Sequence, residues 1–360
     1  MRRNVFQKLN DKLKRFPRLH QAVLSSQVAQ SGYRLARHYL SNLPQRPCHL
    51  HQLFINNAGD VLPCCIVYTQ RKMIIGNIRD PDLDTKLQNF NAHCSCERYR
   101  LRKATRDESV KIDNINIELD FACQAQCVMC CVDAPKLKQK YWQYDLYEDL
   151  SKLISAMAPK SLTVQGGEVL IQKKSMDWLR KIKQEHNDIC IHLITNGNVT
   201  TDLIPTVTGT FEGLTISFVG FQHHTYRTIM GLDLDKTRNF VAALSADKRL
   251  NLTLKFLVTP INLHEMSLFL SWALSVNPNH ITFSDAGNES FINMRNYNNY
   301  WSEIVNRTGK DIIEIVRSYQ KTALDVKSVI FFDTAIIRLF RQSDVATAEE
   351  IESLITLYLH

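Results

Sequence analysis

From residue 114 onward, short β-type runs alternate with helical patterns, and this alternation constrains the fold more than any other feature. Candidate strands are 114–120, 161–164, 190–194, 213–219, 252–258 and 280–284, with helical patterns near 145–157, 173–186, 233–245 and 263–275. Strands separated by helices pair in parallel, because the crossover returns each strand in the same direction. Six such units predict an α/β fold with an open, partial (β/α)6 TIM-like barrel, since closure takes eight.

The second constraint is the placement of cysteine. Nine of the ten cysteines lie between Cys48 and Cys131, and only Cys190 is outside. No export signal is read at the N-terminus, so a disulfide scaffold is not expected. Thiols crowded into one third of an intracellular chain point to metal instead. Cys190 reads as a buried, unreactive thiol. No apolar run reaches the roughly 18 residues of a spanning helix, and the expectation is a cytoplasmic protein.

Within the cysteine-rich part, Cys123-x3-Cys127-x2-Cys130 follows directly on the first predicted strand. Three thiolates on one tight loop can each hold one iron of a cubane and leave the fourth iron without a protein ligand. A zinc site ordinarily takes four ligands at two paired spacings. Cys131 could replace Cys130 only at a different spacing. Gln165-Gly166-Gly167-Glu168 follows the second strand, Thr195-Asn196-Gly197 the third, and Ser217-Phe218-Val219-Gly220 ends the fourth. After the fifth comes Val258-Thr-Pro-Ile-Asn262-Leu-His-Glu.

In this order the motifs resemble the radical S-adenosylmethionine superfamily. The resemblance implies a 4Fe–4S cluster on Cys123, Cys127 and Cys130, whose open iron chelates S-adenosylmethionine. One electron would cleave the sulfonium to a 5′-deoxyadenosyl radical for C–H abstraction; cluster potentials reach about −700 mV at the lowest. By the same resemblance Gly166, Gly167 and Glu168 approach the amino group of the cofactor. Thr195 and Ser217 contact its ribose and carboxylate, and Met129 covers the adenine where an aromatic residue is common. Asn262 matches a further family position. The chain departs from the pattern at Val169 (commonly Pro), Val219 (often Asp) and Met230 (often Arg). If the missing Asp and Arg normally pair, an apolar pair replaces them without loss of stability. His223 and His224 read as solvent-facing helix residues.

Upstream, Cys48, the turn Asn56-Asn57-Ala58-Gly59-Asp60, Cys64-Cys65 and His93-Cys94-Ser-Cys96 resemble the auxiliary module called twitch or SPASM, here preceding the core. Gly59 in a hairpin turn would bring Cys48 and Cys64 together. The resemblance implies an auxiliary 4Fe–4S cluster on Cys48, Cys64, Cys94 and Cys96, with Cys65 as the alternative to Cys64 and zinc as the alternative metal.

The expected organisation is a basic helical extension (1–47), the auxiliary module (48–110), the core barrel (111–289) and a helical C-terminal region (290–360). The charged stretch 98–113 reads as a linker or exposed helix. The extension carries +9 against +8 for the whole chain, leaving the other 313 residues at −1. Its cations beside apolar stripes suit an anionic membrane surface or an acidic partner; no nucleic-acid motif is present. The resemblance implies a flavodoxin- or ferredoxin-like one-electron reductant and a peptide or protein substrate. The alternatives are a sugar or other small molecule, as in a surface-glycan pathway, and an electron-transfer or scaffold protein that only holds clusters.

Overall fold

The computed structural model describes residues 46–47, 52–64, 73–90, 93–94, 112–130, 132, 146–285, 299–322 and 328–356. The chain divides into two compact units. In the unit made of residues 1–49 and 91–107, the described part is a two-stranded antiparallel pair, β1 (Arg46–Pro47) with β5 (His93–Cys94). The predicted N-terminal helices and most of the stretch 98–113 lie outside the described residues.

The second unit, residues 50–90 and 108–360, is built on one ten-stranded sheet. Six parallel strands fall where the periodicity placed them: β6 (Asn114–Glu118), β7 (Ser161–Gln165), β8 (Cys190–Thr195), β9 (Gly213–Phe218), β10 (Asn251–Val258) and β11 (His280–Asp285). Between them run helices α2 (Tyr147–Met157), α3 (Lys173–Glu185), α4 (Ile204–Thr210), α5 (His223–Met230), α6 (Leu234–Leu244) and α7 (Met266–Val276). The sheet is open, with the expected partial-barrel connectivity.

The C-terminal region departs from the all-helical expectation. After α8 (Asn299–Thr322) the segment Val329–Phe332 forms β12, a seventh parallel strand beside β11, before α9 (Thr334–Ser343) and α10 (Val345–Thr356). A four-residue apolar run carries no period that separates strand from buried helix. At the other edge, β2 (Gln52–Ile55) pairs in parallel with β6, and β3 (Asp60–Leu62) and β4 (Gly76–Asn77) continue antiparallel. The β2–β3 hairpin turns at Asn56–Gly59, where Gly59 takes φ +83°, a conformation that costs glycine little. The first helix, α1 (Leu83–Gln88), follows β4 and buries Leu83 and Leu87.

Alternation along the parallel strands gives the sheet two unlike faces. Ile115, Ile117, Leu162, Val164, Ile191, Leu193, Leu214, Ile216, Leu254, Phe256, Ile281 and Phe283 are all fully buried. Their registers put them on one face. That face meets the helices through aromatic contacts: Phe256 lies 4.9 Å from Phe269 of α7, and Phe332 lies 6.4 Å from Phe340 of α9. Residues in between, among them Asn116, Glu118, Thr163, Gln165, His192, Thr215, Ser217, Lys255 and Thr282, are polar and only half-buried. Parallel sheets are ordinarily apolar on both faces. A polar second face is therefore lined for something other than protein core.

Candidate functional site

Three loops at the C-terminal ends of β6, β7 and β8 meet around the Cys123–Cys130 segment. The first is tied to the second by backbone: Gly167 N donates to Asp120 O and Glu168 N to Ala122 O, both at 2.8 Å. Gln172 Nε2 donates to the same two carbonyls at 2.8 and 2.9 Å. On the far side Gln126 N and Val128 N donate to Met230 O and Ile229 O at the end of α5. Gln124 Nε2 reaches Asn196 Oδ1 and Asn198 O, each at 3.2 Å, closing the third side.

The three expected iron ligands stand half-buried on this loop. Burial, with neighbouring charge, pushes the Cys123 thiol up to about 11 and the Cys127 thiol to about 12. Such thiols become thiolates near neutral pH only when a metal takes the proton's place. Ala125 N (3.4 Å) and Asn196 Nδ2 (3.9 Å) point at Cys123 Sγ. Hydrogen bonds to sulfur are among the levers that set a cluster's potential. The three sulfurs are close enough to interact electrostatically. Three thiols on one loop fit the three protein ligands of a cluster with one open iron, whereas a structural zinc ordinarily takes four.

Glu168 is fully buried, and burial raises its pKa. Its carboxylate accepts from Leu170 N, Asn196 N and the Thr195 hydroxyl, the last at 2.7 and 2.8 Å to its two oxygens. The Thr195 hydroxyl also accepts from Gly197 N at 2.9 Å. Thr195 thus holds Glu168 and the turn after β8. The two glycines pack against the cysteine loop. A Cβ on Gly167 would stand 2.3 Å from Ala122 O, and one on Gly166 2.7 Å from Asp120 O. Their bareness admits the cysteine loop, where the sequence reading assigned it to a ligand. Met129 is buried in the core, and the exposed apolar side chain of the loop is Val128.

Ser217 lies half-buried near the end of β9, on the polar face. Val219 and Met230 are both buried among apolar side chains, as suits residues standing where charges are common. Asn262 is fully buried and caps its own loop, accepting from Thr259 N and donating to Leu257 O. Glu265, not anticipated, is fully buried and accepts from Phe221 N and Gln222 N, tying the loop after β10 to the loop after β9. Its position three residues after Asn262 is the spacing of a helix-start motif. Asn196 is the other site residue that sequence reasoning passed over, although it sits in the quoted Thr195-Asn196-Gly197. His223 and His224 are exposed at the start of α5, as expected. Cys190 is exposed, which corrects the buried reading; it opens β8 on the half-exposed face.

Of the expected auxiliary ligands, Cys64 is buried just beyond β3, beside Phe54 and Leu62. Cys94 has its backbone in β5. Cys48, Cys65 and Cys96 lie outside the described residues, as does Cys131.

Glu118 joins the hairpin to the core, its carboxylate receiving the backbone N–H of Asn57. Burial, opposed by that hydrogen bond, raises its pKa from about 4.5 to about 7. A carboxyl raised on folding contributes stability that is whole below about pH 4.5 and is lost as pH rises through 7. Glu118→Gln keeps the shape and cannot ionise. Relative to the parent it should gain about 2 kcal/mol between pH 5.5 and 8. Denaturation of both proteins across that range measures the difference; parallel curves would contradict the raised pKa.

Comparison with known proteins gives the following. Residues 48–112 match SPASM, an iron–sulfur cluster-binding domain. The auxiliary-module reading is thereby borne out, with iron–sulfur as its metal chemistry. No curated protein sequence matches the chain. Among solved structures it is similar to Streptococcus suis SuiB bound to the precursor peptide SuiA, at 10% identity and TM-score 0.49, over 64% of this chain and 51% of that one. It is similar to SuiB bound to S-adenosylmethionine at 10% identity and TM-score 0.47, over 61% and 50%. A third is anSMEcpe with bound AdoMet and a peptide, at 16% identity and TM-score 0.44, over 60% and 63%. The chain spans about half the length of the SuiB chains it matches.

Proposed function

We propose that this chain is a radical S-adenosylmethionine enzyme acting on a peptide or protein. The observation that carries the reading is the Cys123–Cys127–Cys130 loop, half-buried and held from three sides at the C-terminal end of a parallel sheet. When bound, a 4Fe–4S cluster there supplies one electron and an open iron position for S-adenosylmethionine. Cys123, Cys127 and Cys130 would hold it, with Ala125 N–H and the Asn196 amide tuning the first sulfur. Glu168 and Thr195 fix the loops after β7 and β8. The polar face below, from Asn116 to Thr282, gives a bound molecule hydrogen-bonding groups. No helix among the described residues is long and apolar enough to cross a membrane.

A peptide or protein substrate is favoured by the SPASM match, since the resembling families that carry such modules often modify peptides. Anaerobically reconstituted protein given dithionite and S-adenosylmethionine should release 5′-deoxyadenosine. Absence of that product in the reconstituted parent sinks the proposal. A mass change in a short peptide encoded beside the gene supports the peptide reading, and modification of a sugar instead overturns that part alone.

A further inference from the structure

The ten-stranded sheet ends differently at its two edges. At β4 the edge is capped: Asn77 N donates to the Asp80 carboxylate at 2.8 Å, and that carboxylate pairs with Lys86. Short, charged edges are how sheets ordinarily avoid an added strand. At the other end, no strand lies beyond β12 among the described residues. Its sequence, Val329-Ile330-Phe331-Phe332, carries no charge and no proline. Val329 N and Asp333 N donate to Asn279 O and Phe283 O along β11, at 2.9 and 2.8 Å. Successive peptide groups of a strand point to opposite sides, so Ile330 and Phe332 turn their N–H and C=O groups outward. Residues two apart repeat about every 6.6 Å, a spacing that another extended main chain matches and a sugar does not. The side chains agree. Ile330 and Phe332 are buried against the helices at 2% and 5% exposure, so Phe331 between them stands on the polar face, beside Thr282 of β11. Phe331 is 50% exposed, and it is the one exposed large apolar side chain among the described residues of the parallel strands.

We infer that the outer edge of β12 receives an extended segment of the substrate peptide as an added strand, with an apolar side chain of that segment packed on Phe331. This rests on the functional reading above and narrows its substrate to a chain that presents an apolar residue in extended conformation. When a strand adds to a sheet edge, main-chain hydrogen bonds supply affinity and the flanking side chains supply selectivity. Here Ile330 and Phe332 offer the main-chain groups, and Phe331 offers the side-chain contact. An added strand continues the polar face, so the side chains it turns to that face share it with the groups lying below the cysteine loop.

The test selects a cysteine-free library of random peptides, about nine residues long, for binding to immobilised, anaerobically reconstituted protein without S-adenosylmethionine. The parent should enrich sequences with apolar residues at alternate positions. Phe331→Asp should bind the enriched peptides about ten- to a hundredfold more weakly, and Phe331→Leu should stay within about threefold of the parent. Leu268→Asp, on the exposed side of α7, should bind like the parent. Methylating single peptide nitrogens gives an arm that needs no variant protein. About tenfold should be lost at the alternate positions that donate to Ile330 or Phe332, and little at those between them. Three results overturn the inference: no enrichment, equal binding to Phe331→Asp, or no loss on methylation. A parent dimer that Phe331→Asp dissociates also overturns it, because a second copy then occupies the edge. The same preparations are given dithionite and S-adenosylmethionine in a separate arm. Release of 5′-deoxyadenosine without edge-dependent binding defeats this inference alone. A parent that binds peptides at the edge and releases no 5′-deoxyadenosine defeats the functional reading, and with it the peptide's role as substrate.

Discussion

Single replacement of Cys123, Cys127 or Cys130 by Ala is expected to abolish 5′-deoxyadenosine formation and to lower bound iron by about four atoms per chain. Each thiolate would hold a different corner of one cluster, so two sulfurs do not retain three quarters of it. The loop gives no substitute ligand among its described neighbours: Gln124 and Asn196 are spent on each other, and Asp120 Oδ1 accepts from Ala122 N. The Cys123 and Cys127 thiols are also raised by burial, so iron must displace their protons. With one ligand gone, that displacement has less binding energy behind it. Cys131→Ala discriminates the assignment, because the Cys-x3-Cys-x2-Cys spacing leaves it out and iron content should stay at the parent level. Cys64→Ala should remove the auxiliary cluster alone, and Cys65→Ala neither. If Cys131→Ala behaves like Cys130→Ala, the third ligand has been misassigned; iron and sulfide analysis on all six proteins decides it.

The strands were legible because their alternation is long and regular. Asn114-Ile-Asn-Ile-Glu118 and Asn251-Leu-Thr-Leu-Lys-Phe-Leu-Val258 carry a period of two that a helix cannot use. The same alternation held information beyond secondary structure: a parallel strand polar at every second residue has one face open to a ligand. Strand β12 was hidden because Val-Ile-Phe-Phe is apolar throughout. The parallel pairing of β2 with β6 was hidden because it joins residues some sixty positions apart, with nothing local to announce it. At the site, residue types were legible and their partners were not. Thr195 and Glu168 were each read as facing a ligand, yet a hydroxyl and a carboxylate 27 residues apart satisfy one another at 2.7 Å. Such pairing depends on how two strand-end loops approach, which a one-dimensional pattern does not contain. Cys190 was misread for a similar reason. Cysteine's general preference for burial says nothing about which face of β8 its position takes.

Gly167→Ala is expected to cost most of the S-adenosylmethionine-cleaving activity and most of the iron on the Cys123 loop, with about 1–3 kcal/mol of stability. The added carbon would meet Ala122 O at 2.3 Å, Phe121 C at 2.5 Å and Phe121 O at 2.6 Å. All three are backbone atoms, so no rotamer change makes room. Either the loop after β7 or the cysteine loop must move, and movement of either breaks Gly167 N to Asp120 O and Glu168 N to Ala122 O. The first of these holds the start of the cysteine loop, and the second positions the residue just before Cys123. Gly209→Ala is the matched control: it lies in α4, a Cβ there meets nothing within 4 Å, and helix propensity favours alanine by about 0.5–1 kcal/mol. If Gly167→Ala assembles its cluster as well as Gly209→Ala does, the glycine is not there to admit the cysteine loop, and a ligand-contact role regains the ground. If iron is lost while far-ultraviolet dichroism is retained, the close approach of two backbones is what the Gly-Gly pair provides, and cofactor binding follows from it only at second hand.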